Sequence, residues 1–111
     1  MPTHDMQPVS TPSDLDAALR APQAVLFKHG ATCPISAAAR GEMQEFTDEH
    51  PDVPVYAIEV TGDRELSDLA ADRLGVDHES PQAFVLRDGR VMWHATHYDI
   101  TAGQIAAQLA G

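Results

Sequence analysis

Residues 24–60 place a strand, a tight break, a helix and a second strand in immediate succession, and few folds accommodate that order. Residues 24–28 (Ala-Val-Leu-Phe-Lys) form a short apolar run of β-forming side chains, which predicts a strand. Gly30-Ala31-Thr32 interrupts it. Cys33-Pro34 then opens a helical period in which Ile35, Ala39, Met43 and Phe46 share one face. Gly41 inside this helix costs about 1 kcal/mol relative to alanine or marks a bend. Pro51 and Pro54 end the segment, and residues 55–60 (Val-Tyr-Ala-Ile-Glu-Val) predict the next strand.

The flanking segments complete the pattern. Thr11-Pro12-Ser13-Asp14 predicts a helix start: a capping threonine, a proline at the first helical position, and an early acid that suits the dipole. Leu15, Ala18 and Leu19 give that helix its apolar face. A third helix carries Leu66, Leu69, Ala70 and Leu74, with Gly75 as its C-terminal stop. Residues 82–86 and 91–94 flank Asp88-Gly89, a strong hairpin signal. Thr101 with Gln104 resembles a capping box for a last helix bearing Ala102, Ile105, Ala106 and Leu109. A strand-helix-strand unit followed by a helix and a hairpin requires a mixed sheet covered by helices. This is the element order of the thioredoxin fold. The expectation is an α/β domain over residues 11–111, with a mixed four-stranded sheet flanked by helices. Residues 1–10 are expected to form an unpacked tail.

At 111 residues the chain fits one domain. Its single cysteine excludes an internal disulfide and suits a reducing compartment. The polar N-terminus holds no apolar run of signal-peptide length, and no stretch of eighteen apolar residues occurs. A soluble, cytoplasmic protein is expected, with no membrane association. The 17 acidic side chains against 7 Lys and Arg argue against a nucleic-acid partner, which calls for a basic face. The surplus acid is accounted for by a solvated surface.

The chemistry concentrates in Thr32-Cys33-Pro34-Ile35-Ser36. Proline at the first helical position makes Cys33 the N-cap, so the backbone N–H groups of Ile35 and Ser36 face its sulfur. These donors and the positive end of the helix dipole favour thiolate. A free cysteine has a pKa near ~8.5, and helix N-termini lower it to roughly 3.5–7.5. Thr32, Pro34, Ile35 and Ser36 thus form the thiolate-stabilising set around a catalytic Cys33. Ser36 stands where a Cys-x-x-Cys pair carries its resolving sulfur. A hydroxyl can donate to the thiolate but cannot attack a disulfide, so an external thiol must release any adduct on Cys33. An inert, buried cysteine is the alternative, and the strand-to-helix placement weighs against it.

Ser80-Pro81 precedes the third apolar strand, and the fold favours a cis bond there, with the turn facing the Cys33 loop. Its backbone would pair with an extended substrate, which makes Ser80 and Pro81 candidate substrate-binding residues. His29 could stabilise a thiolate or act as an acid, or be a half-buried polar residue at the sheet edge. Lys28 could lend positive charge but is expected to be solvated. Trp93 and Tyr98 are expected to pack the hairpin and the last connection, or alternatively to form part of a client groove. His94 and His97 share no fixed face, and with one cysteine no zinc set is expected. Neither a phosphate-binding glycine loop nor a nucleophile elbow occurs.

His29-Gly30-Ala31-Thr32-Cys33-Pro34-Ile35-Ser36, followed by Ala37-Ala38-Ala39, closely resembles the signature of the YtxJ-like monothiol bacilliredoxins. His78-Glu79-Ser80-Pro81-Gln82 resembles the proline-turn segment of that family. The resemblance runs from about Thr11 to the end of the chain. It implies a thioredoxin fold with no bound cofactor, and bacillithiol, a small cysteine-containing thiol, as co-substrate. It further implies S-bacillithiolated proteins as partners: Cys33 would take bacillithiol from them and be freed by a second bacillithiol. By the same resemblance Pro81 matches the cis-proline of the family. Two competing functions are a thioredoxin-like adaptor holding an iron–sulfur cluster through Cys33 and a small thiol, and a client-binding module without turnover. Glycine and phenylalanine follow the cysteine in cluster-binding relatives, where this chain has Pro34-Ile35.

Overall fold

Every residue from Ala24 to Lys28 is buried, on both faces of the strand, which places that strand in the interior of the sheet. The computed structural model describes residues 6–30, 34–62 and 64–110. The strands are β1 (Gln7–Pro8), β2 (Gln23–His29), β3 (Val55–Glu59), β4 (Gln82–Arg87) and β5 (Arg90–Thr96). The helices are α1 (Pro12–Arg20), α2 (Pro34–Glu49), α3 (Arg64–Leu74) and α4 (Ala102–Ala110), with a 3-10 turn at His97–Asp99. They form one mixed sheet of order β1-β3-β2-β4-β5. β1, β3 and β2 run parallel, while β4 pairs antiparallel with both β2 and β5.

Alternation along β2 divides the core in two. Val25 and Phe27 pack with Met43 and Phe46 of α2 and Ile105 of α4. Leu26 packs on the other face with Leu15 of α1, Leu66 and Ala70 of α3, and Phe84 of β4. Phe27, Phe46 and Phe84 are fully buried, and each contributes about 1.5–3 kcal/mol of transfer free energy.

The helix starts and the hairpin form as their local chemistry dictates. Thr11 Oγ1 accepts from Asp14 N at 3.1 Å, and Thr101 Oγ1 accepts from Gln104 N at 3.2 Å. Gly75 closes α3 with φ +70°. Asp88 and Gly89, at φ 53° and 79°, form the two-residue turn between paired Arg87 and Arg90.

Three expectations are corrected. The sheet has five strands rather than four, because the segment expected as a tail supplies β1. Gln7 and Pro8 pair with Tyr56 and Ala57, and Val9 N donates to Ala57 O at 2.8 Å. This edge strand is held by its backbone, which suits a proline and leaves no apolar alternation in the sequence. Tyr98 does not pack: it is 70% exposed, on the 3-10 turn that follows the left-handed His97 (φ 56°). Trp93 is half-buried against the core as expected. Lys28, expected in solvent, has no exposed surface. Among the described residues no helix is long and apolar enough to cross a membrane.

A Cβ on Gly89 would lie 2.8 Å from the carbonyl oxygen of Leu19, on a backbone whose φ disfavours any L side chain. Gly89→Ala is expected to destabilise the fold by about 1–3 kcal/mol, seen as a lower urea midpoint at unchanged m-value.

Candidate functional site

Register brings the two sequence-predicted segments to the same end of the sheet. β2 ends at His29 and leads through Gly30 towards α2, while β4 begins at Gln82, which pairs with Lys28. Gly30 and the turn before Gln82 therefore share the carboxyl end of the parallel strands, where open α/β sheets bind ligands. Cys33 and Thr32, the predicted nucleophile and its neighbour, lie outside the described residues.

Pro34 is the first residue of α2, so in sequence Cys33 immediately precedes the helix. The first turn of α2 carries no acid. In a chain with 17 acidic side chains, residues 34–41 hold none, and the only charge among them is Arg40. The positive end of the helix dipole is thus unopposed by any carboxylate on those residues. The first acid of α2, Glu42, is turned elsewhere: its Oε1 accepts from Ala102 N at 2.9 Å and caps α4.

Ser36 is fully buried and Ile35 half-buried. Ser36 Oγ accepts from Gly30 N at 3.0 Å, and Arg40 Nη1 donates to Gly30 O at 2.8 Å. Ser36 and Arg40 lie four residues apart and share a helix face. Together they fix Gly30 on both its backbone polar groups, at the point where the chain departs towards Cys33. The hydroxyl of Ser36 is therefore already engaged as an acceptor, a role the sequence reading did not give it. Arg40 was missed altogether; the signal was its i+4 spacing from Ser36 and its place as the one cation of α2.

His29 stacks on Phe27, with ring centroids 5.2 Å apart. Its Nδ1 is buried with no hydrogen-bond partner among the described residues. Burial holds its pKa below the ordinary value, the Arg40 charge adds to that, and Glu59 opposes it. The imidazole is accordingly neutral at pH 7. A cleft of about 480 Å³ opens beside it, lined in part by Met6, Pro8, Ala57 and Glu59. Because β2 is an interior strand, His29 stands at a strand end and not at the sheet edge.

Across the sheet end, the Ser80–Pro81 bond is cis. Pro81 O accepts from His97 N at 3.1 Å, which ties the turn to the end of β5. Gln82 braces it from within, accepting from Glu79 N at 3.3 Å and donating to Asp77 O at 3.2 Å. Among the described residues no hydrogen bond occupies the backbone N–H or C=O of Ser80. Beneath the turn lies Lys28, whose Nζ donates to Ser67 O at 3.2 Å and faces His78 Nδ1 at 3.4 Å. Burial lowers its pKa to about 8, with Asp68 opposing. Among the described residues no group of three or more His, Cys, Asp or Glu could hold a metal.

Two outcomes are expected. Ser36→Ala strands the buried Gly30 N–H and should cost about 1–3 kcal/mol in urea melts. Arg40→Met removes a cation from beside His29, so the His29 pKa, followed by NMR, should rise without reaching the ordinary value, because burial remains. Since a depressed imidazole pKa means the unfolded chain binds the proton first, the His29 contribution lowers stability as pH falls through the imidazole range.

The comparisons agree with this geometry. The family described as monothiol bacilliredoxin BrxC matches residues 7–105. A solved structure described as a candidate oxidoreductase with a thioredoxin fold is 32% identical, with a TM-score of 0.88, covering 94% of this chain and 93% of that one. Thioredoxin from Trypanosoma brucei brucei superposes with a TM-score of 0.77 at 14% identity, covering 96% and 88% of the two chains. Thioredoxin from Aeropyrum pernix gives 0.70 at 23%, covering 91% and 83%. The latter two show the fold alone. A thioredoxin fold with a single cysteine ahead of α2, matched over residues 7–105, makes this chain a member of the monothiol bacilliredoxin family and, at that level, a thiol oxidoreductase.

Proposed function

We propose that the protein removes bacillithiol from S-bacillithiolated proteins in the cytoplasm, using Cys33 as a monothiol nucleophile. The thiolate of Cys33 attacks the bacillithiol sulfur of the mixed disulfide. The client S–S bond breaks, and the client thiolate leaves and takes a proton from solvent. A second bacillithiol thiolate then attacks the bacillithiol sulfur on Cys33, giving bacillithiol disulfide and the free Cys33 thiolate. No net electrons are gained by the protein: the client is reduced and bacillithiol is oxidised.

One observation carries this reading. The position three residues after Cys33 is a buried serine whose oxygen is bonded to Gly30 N, and the chain has no second sulfur nucleophile. A Cys33 adduct has no internal thiol to resolve it, which requires a small external thiol as the second reactant. The acid-free start of α2 supports a stabilised thiolate, for which Thr32, Pro34, Ile35 and Ser36 are the proposed stabilising residues. The backbone groups of Ser80 beside Pro81, which have no partner among the described residues, support pairing with an extended client segment. Bacillithiol is a co-substrate in this scheme and not a bound cofactor.

The test uses a client protein carrying a bacillithiol mixed disulfide, followed by intact-mass spectrometry over seconds to minutes. The adduct mass should move from client to Cys33 and remain there until free bacillithiol is added; Cys33→Ser should transfer nothing. If the adduct stays on several clients while Cys33 remains unmodified, de-bacillithiolation is wrong. A brown, cluster-bearing protein from anaerobic purification would favour the adaptor function instead.

A further inference from the structure

Lys28 is the only lysine of the chain, and it is the one cation with no exposed surface. A buried ammonium ordinarily sits against a carboxylate. Among the described residues its hydrogen-bonding partners are the carbonyl of Ser67 at 3.2 Å and His78 Nδ1 at 3.4 Å, with the ring of Phe84 5.8 Å from Nζ to the centroid. The hydroxyl of Ser67 lies 2.8 Å from the same His78 nitrogen. An ammonium can only donate, so with the imidazole proton on Nε2 the one lone pair of Nδ1 is shared between the Lys28 ammonium and the Ser67 hydroxyl. His78 opens the turn that contains Ser80 and Pro81, and Gln82, the cross-strand neighbour of Lys28, closes it.

We propose that Lys28 is a positioning residue for disulfide exchange: its ammonium, bonded to His78 and to the α3 backbone, fixes the 78–81 turn against which the client segment pairs. The inference rests on the exchange function proposed above. Lys28 lies on the α1 and α3 side of the sheet with Leu26, opposite the Phe27 side on which α2 packs. Its effect therefore runs through the turn, not through the helix that follows Cys33.

A pH dependence follows from the chemistry of the clamp. Once Nζ loses its proton it no longer offers a charge-assisted donor to Nδ1, and the tie weakens. Burial places that loss at about pH 8. Among the described residues the charged groups facing the cluster are Asp68 and Arg64 of α3 and Glu79 of the turn. Arg64 pairs with Asp68 at 3.5 Å, on the exposed side. The cross-strand neighbours of Lys28, Ile58 of β3 and Gln82 of β4, are uncharged. His78 itself is held neutral by burial first, then by Lys28 and Arg64. Its protonation therefore belongs to acid pH, outside the range in which Lys28 titrates.

The experiment measures two reactions of Cys33 across pH 6.5–9.5: exchange with a disulfide-bearing client, and alkylation by iodoacetamide, which needs no client turn. Their ratio cancels the thiolate fraction. In the native protein the ratio should fall as pH rises. Its midpoint should coincide with the titration of the single lysine, read as one resonance after ¹³Cε-lysine labelling. Lys28→Met keeps the length and apolar stem and removes the charge. It should melt no lower than the native protein, because a buried charge with no contacting carboxylate among the described residues is replaced by packing. Its ratio should be roughly tenfold lower at pH 7, through KM more than kcat, and flat with pH. His78→Leu, which cuts the tie and leaves Lys28 in place, should lower the ratio alike. A native ratio at pH 7 in both variants, or a midpoint far from the lysine titration, overturns the role of Lys28. Absence of any exchange by the native protein, with normal alkylation, overturns the exchange function itself.

Discussion

Burial of β2 on both faces is the constraint on which the rest of the molecule depends. A strand flanked by β3 on one side and β4 on the other, and by helices above and below, has every position committed to packing from Ala24 to Lys28. Such a strand can deliver chemistry only at its end. Its last two residues are both ionisable, and alternation sends one to each face: Lys28 towards α3 and the proline turn, His29 towards α2. The interior strand thus serves as a common rigid support for the two segments that the proposed exchange reaction must bring together.

That support extends to Gly30 through bonds that a strand alone could not supply. The Ser36 oxygen holds its N–H and the Arg40 guanidinium its carbonyl, so the chain leaves the sheet in a direction set by α2. The proline turn is held by a second, independent set: His97 on the Pro81 carbonyl, Gln82 on both flanks, and Lys28 with Ser67 around His78. Each set is built from buried or half-buried polar groups, where a hydrogen bond is strong and its loss costly. Two short segments are thereby fixed from opposite faces of one sheet.

Features governed by neighbours in sequence were legible before any coordinates. Thr11 and Thr101 cap as their following residues require, Asp88-Gly89 makes the turn its dipeptide specifies, and α2 starts at Pro34. The cis bond before Pro81 followed from the fold as a whole and not from the dipeptide. What could not be read was held by groups distant in the chain or by bare backbone. β1 pairs through its main chain with a strand 49 residues later. Lys28 is buried by a carbonyl 39 residues away and an imidazole 50 away, and neither leaves a mark beside it in the sequence. Arg40 reads as an ordinary solvated arginine until the Gly30 carbonyl is seen beside it.

The charge of the chain explains why the acid-free start of α2 and Arg40 matter more here than they would in a neutral protein. With a formal net charge of −10, the surface potential is negative and opposes the thiolate on which the proposed chemistry relies. Surface lysines would offset that field weakly, through solvent and salt. The sequence instead keeps acids out of residues 34–41, turns Glu42 to the start of α4, and sets Arg40 at the Gly30 carbonyl. The acidic exterior and the acid-free stretch 34–41 are then compatible, because that stretch keeps its own carboxylates off the helix start at which the proposed thiolate forms.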